Sequence, residues 1–78
     1  MKTLLSLKNV SCVEYIGNDD RVELHVHYFE NEPAYRIGKD TRKLCYESTV
    51  YVKEKYAKMY ETIKNALEKG DIYIEIEL

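Results

Sequence analysis

Val52 to Leu78 reads VKEKYAKMYETIKNALEKGDIYIEIEL, and two different hydrophobic periods meet inside it. Val52, Tyr56, Met59, Tyr60, Ile63, Ala66 and Leu67 fall within an arc of about 120° at a helical repeat, the width of a core-facing stripe. Glu54, Lys58, Glu61, Asn65, Glu68 and Lys69 take the far side. Glu54 and Lys58 form a favourable i,i+4 pair. Glu54 also suits the positive end of the helix dipole and Lys69 the negative end. A helix over 53–69 follows, ended at Gly70, the residue that adopts a left-handed cap without strain. From Asp71 the period changes to two. Ile72, Ile74, Ile76 and Leu78 point inward, and Tyr73, Glu75 and Glu77 point outward. So short a connection folds the strand back along the helix.

Working toward the N-terminus, Arg21 to Phe29 alternates cleanly. Val22, Leu24, Val26 and Tyr28 share one face, and Arg21, Glu23, His25 and His27 the other. Gly17-Asn18-Asp19-Asp20 has the composition of a hairpin turn, so Thr3 to Ile16 reads as the preceding strand, bent near Asn9 where the alternation slips phase. Glu30-Asn31-Glu32-Pro33 closes the second strand. Ala34 to Ile37 is a short strand, and Gly38-Lys39-Asp40 a second turn. Residues 42–52 contain Ser48, Thr49, Val50, Tyr51 and Val52, a β-branched and aromatic cluster that favours a strand. A helix starting at Ser48 or Thr49 would lack the Glu or Gln of a capping box, since Tyr51 and Val52 stand there. The expected fold is one α+β domain over 1–78, in the order β-β-(β-β)-α-β. Its four- to five-stranded antiparallel or mixed sheet carries one amphipathic helix on one face, leaving the other face solvated or covered by a partner or second copy.

Composition narrows the function. The chain has 78 residues, 45% hydrophobic and 33% charged, the balance of a folded domain with a thin core. A net charge of −2 excludes a simple basic module that coats nucleic acid. Eight tyrosines against one phenylalanine and no tryptophan suit half-buried positions or a binding face. No run approaches the ~20 apolar residues of a membrane span, and residues 1–16 lack a continuous apolar segment of signal-peptide type. The two cysteines, Cys12 and Cys45, make no disulfide framework, so reduced thiols in a cytoplasm are expected.

Three sites merit attention. Tyr73, Glu75 and Glu77 on the outward face of the last strand suit contact with another protein, or with a second copy in a homodimer. Tyr35, Arg36, Lys39, Arg42, Lys43 and Tyr46 combine basic side chains with flanking tyrosines in a hairpin-like stretch, the chemistry of a single-strand nucleic-acid surface. Arg42 and Lys43 also lie near Cys45 and favour its thiolate. His25 and His27 repeat on one strand face roughly 7 Å apart. If Tyr15 pairs with Leu24, Cys12 lies across from His27 and Glu14 across from His25, a donor set suited to zinc. No phosphate-binding glycine loop, nucleophile motif or cofactor signature is present. The expectation is a small non-enzymatic, cofactor-free binding module, of the kind phages and mobile elements encode as inhibitors. Nucleic-acid binding and metal binding stand as the alternatives.

Overall fold

A computed structural model describes residues 2–30 and 33–77. Its elements are β1 (Lys2–Ser6), β2 (Val10–Gly17), β3 (Arg21–Tyr28), β4 (Tyr35–Asp40), α1 (Tyr46–Lys69) and β5 (Tyr73–Glu77). The class is α+β with one helix, as expected, but the strands form two sheets rather than one. β2, β3 and β4 make a three-stranded antiparallel sheet, and β1 pairs with β5 in a separate antiparallel ribbon.

The split originates at Asn9. Its φ of 66° is left-handed, a conformation asparagine tolerates better than other side-chain-bearing residues. The Val10 amide donates to the Leu7 carbonyl across this turn, and the register slips once more between Val10 and Cys12. The phase break at Asn9 is thus more than a bend. It ends one strand and sends the next into a different sheet.

β2 and β3 pair as the turn at 17–20 implies, with Tyr15 opposite Leu24. Asn18 closes that turn by accepting from the Asp20 and Arg21 amides at its side chain, while its own amide donates to the Arg21 carbonyl. β4 runs through residues 38–40, where a turn was expected. Gly38 pairs with Glu23, and a Cβ there would sit 2.9 Å from the Glu23 Cγ, so the strand needs a residue without a side chain. Thr41 is buried at the end of β4. Its amide donates to the Asp20 carbonyl and its hydroxyl to that of Asp19, tying β4 to the β2–β3 turn.

The largest correction is at 42–52, where helix replaces strand from Tyr46 onward. Cys45 is the N-cap, its sulfur accepting the Ser48 amide at 3.4 Å. The Thr49 hydroxyl donates to the Cys45 carbonyl, so this β-branched residue is accommodated within the first turn. Glu47 therefore takes the dipole-favoured place assigned to Glu54. At the other end Gly70, with φ 77°, caps the helix and donates to the Leu67 carbonyl.

The helical stripe packs as read: Val52, Tyr56, Met59, Ile63 and Ala66 are buried, with Tyr60 and Leu67 at its margins. They meet Val13, Val22, Leu24, Val26 and Ile37 from the three-stranded sheet and Leu5, Leu7 and Ile76 from the ribbon. Burial of Tyr56 pushes its phenol pKa up. Ile76 is buried and Ile74 half-buried, but Ile72 precedes β5 and is 60% exposed, against the inward place assigned to it. The expected turn at Asn31 and Glu32 and the inward position of Leu78 lie outside the described residues.

Candidate functional site

The ribbon sorts its side chains by strand alternation. Thr3 and Leu5 share the inner face with Ile76 and Ile74, their partners in the register. Lys2, Leu4 and Ser6 therefore share the outward face with Glu77, Glu75 and Tyr73. The three residues singled out for partner contact lie on one face, as the alternation implied, and Leu4 joins them. Leu4 is 64% exposed and Tyr73 59% exposed, a large apolar pair on adjoining strands bordered by Glu75 and Glu77. The doublet Leu4-Leu5 hid this residue, because in such a pair only one leucine faces the core and composition does not say which.

Two depressions flank β5. One, of about 610 Å³, places the exposed Phe29 and Ile72 beside Tyr73 over Leu7, Val10 and Leu67. The other, of about 450 Å³, is an open groove between β5 and α1, with Met59 and Ile76 among its lining and Lys55 and Lys58 on the helix side.

The basic segment does not present one surface. Arg36 pairs with His25 and lies on the outer face of the three-stranded sheet. Tyr35 and Lys39, one and three residues from Arg36, lie on the opposite face. Arg42 is held by Asp40, with Nη2 2.7 Å from Oδ2 and Nε 3.1 Å from Oδ1. These bonds hold the Asp40 carboxyl down at about 2 and raise the Arg42 guanidinium. Lys43 is exposed in the loop before α1, and Tyr46 is exposed on its first turn. The stretch is a strand, a loop and a helix start rather than a hairpin.

The outer face of the three-stranded sheet brings Cys12 opposite His27 and Glu14 opposite His25, as the register implied. The side chains engage differently. His25 Nε2 donates to Glu23 Oε2 on its own strand at 2.6 Å, and Arg21 donates to Glu23 Oε1 at 3.0 Å. The Glu23 pKa is lowered, chiefly by the His25 hydrogen bond; desolvation opposes this, and Arg21 adds to the lowering. His27 Nε2 lies 2.5 Å from Glu14 Oε1 but without hydrogen-bond geometry, and this buried nitrogen has no hydrogen-bond partner among the described residues. The imidazole centroids stand 6.3 Å apart at 66°. Each ring thus has its own carboxylate. Among the described residues no group of three or more His, Cys, Asp or Glu side chains converges on a point where a metal would sit.

Cys45 is the remaining reactive group. Hydrogen bonds with the Ser48 hydroxyl at 3.1 Å and amide at 3.4 Å lower its thiol pKa. The Ser48 side chain is the largest cause and the first-turn backbone amides follow it, rather than Arg42 and Lys43 as their proximity in sequence suggested. Among the described residues no helix is long and apolar enough to cross a membrane. No family model matches the chain, and no curated protein or solved structure matches it either.

Proposed function

We propose that the chain is a non-enzymatic protein-binding module that acts through the outward face of the β1–β5 ribbon. The observation that carries this reading is the exposed Leu4–Tyr73 pair beside Glu75 and Glu77. Covering a leucine or tyrosine side chain is worth on the order of 2 kcal/mol, so two neighbouring ones supply a binding centre. Phe29 and Ile72 extend the apolar surface past Tyr73. The acidic residues beside it select a partner by charge rather than add much affinity. An inhibitor that occupies a basic surface on its target fits this arrangement.

The test is capture of a partner from a bacterial lysate by the immobilised chain, with the solution mass measured in parallel. The double variant Leu4→Asp/Tyr73→Ser changes two exposed side chains and is expected to keep the fold while losing capture or self-association. Undiminished capture by a folded double variant rules out this face.

A further inference from the structure

Glu75, Ile76 and Glu77 all line the groove between β5 and α1. Successive residues of a strand point to opposite faces, so three in a row border one groove only where the edge of the strand faces it. That edge is the one turned away from β1, the sole neighbour of β5 in its sheet among the described residues. The Leu7 amide donates to the Ile72 carbonyl at 2.7 Å in the same register that sets Leu5 opposite Ile74 and Thr3 opposite Ile76. In an antiparallel pair the bonded positions alternate. The ladder bonds to β1 therefore belong to Ile72, Ile74 and Ile76, while Tyr73 and Glu75 direct their amides and carbonyls to the edge turned away from β1, and the groove borders that edge from Glu75 onward.

We propose that this groove receives an extended segment of a partner protein as a third strand beside β5, with apolar residues alternating with lysine or arginine. The proposal deepens the reading above and rests on it. A strand edge offers backbone donors and acceptors that an extended segment can meet and a helix, whose own are spent internally, cannot. On the inward side the added strand lies over Ile76 and Met59, which suits apolar side chains. On the outward side its residues stand about 5 Å from Glu75 and its neighbours, where cations pair favourably and carboxylates repel. A second copy is a poorer occupant. Its β5 would set Glu75 and Glu77 against their own kind, and its β1 contributes a single cation, Lys2. Lys55 and Lys58 stand on the helix wall, where their stems cover apolar surface while the ammonium groups stay in water.

The probes are two synthetic nine-residue peptides, one alternating valine with lysine and one valine with glutamate, titrated into the whole chain. The lysine peptide is expected to bind about tenfold or more tightly than the glutamate peptide, and to slow hydrogen exchange at the Tyr73 and Glu75 amides. Glu75→Pro removes an amide directed at the groove but none that bonds β1, so melting should hold while peptide binding falls about tenfold. Glu75→Lys should shift the preference toward the glutamate peptide, a readout that survives if the proline variant misfolds. Equal binding of the two peptides, binding of neither, or binding without protection at Tyr73 and Glu75 overturns the strand-addition proposal. If those results come with loss of partner capture in Leu4→Asp/Tyr73→Ser, the ribbon face still binds, but by another mode. If that variant also captures normally, both readings fall.

Discussion

Leu24 and Leu4 carry the same side chain in opposite settings, which makes Leu→Ala at each a controlled experiment. Leu24 sits on the central strand, opposite Tyr15 on one side and Ile37 on the other, and is fully buried. Truncating it removes apolar area from the core and leaves a void that neighbouring strands cannot fill, a change that costs about 2–5 kcal/mol. A domain of this length has a total stability of roughly 4–12 kcal/mol, so the loss takes a large share. With a urea slope of ~1–1.5 kcal/mol/M, a cost near the middle of that range lowers the unfolding midpoint by about 2.3–3.5 M. Leu4 keeps only about a third of its surface covered and borders no closed space, so Leu4→Ala should cost under ~1 kcal/mol. Urea melts followed by circular dichroism, at concentrations where the solution mass is that of one chain, measure both. An equal cost at the two positions would refute the placement of Leu4 on an open face. A Leu4 cost that grows with protein concentration would instead report self-association through the ribbon.

Asn9→Val should destabilise by about 1–2 kcal/mol, because a β-branched residue resists the left-handed backbone there, while Asn9→Gly should be near neutral; thermal melts separate the two. Asp40 titrates lower in the folded chain than in the unfolded one, so its contribution to stability is present above pH ~4 and is lost as pH falls toward 2. The stability gap between wild type and Asp40→Asn should therefore narrow across that window in denaturant melts, and a gap that widens contradicts the Arg42 pairing. In a Cys12→Ser background, the alkylation rate of Cys45 should rise with a midpoint below the ordinary thiol value of ~8.5, and Ser48→Ala should move that midpoint upward.

The parts of the fold that were legible in sequence are those where one physical preference acts alone. The stripe from Val52 to Leu67 has a single helical period, and Gly70 ends it with a backbone conformation that glycine adopts freely. Likewise Val22, Leu24 and Val26 alternate without interruption, and the turn at 17–20 sets their register against β2. Where two preferences compete, local residue type misleads. Thr49 and Val50 favour a strand locally, but Tyr46–Val52 joins the helix because the Val52–Ala66 stripe already docks that helix on the sheet. The N-cap was hidden because its acceptor is a cysteine sulfur rather than an Asp, Asn, Ser or Thr oxygen. The expected four to five strands match the five observed only roughly and through compensating differences: the strand expected at 42–52 is helix, the first strand is two, and the five divide between two sheets. The outward trio Tyr73, Glu75 and Glu77 followed from period alone. Their neighbour Leu4 did not, because its exposure depends on a pairing between the two ends of the described chain.

That pairing has a consequence for how the molecule comes together. Each doubling of a closed loop costs roughly 0.6 kcal/mol, and the stretch from Ser6 to Tyr73 is more than four doublings longer than the β2–β3 turn, about 2.5 kcal/mol in all. The hairpins and the helix, with their local contacts, can form without it. The ribbon is then the last element to zip and the first to open. Leu4 and Tyr73 share one face, diagonally across the two strands, only in a chain whose folding has run to completion, so any target that grips both discriminates between finished and unfinished copies.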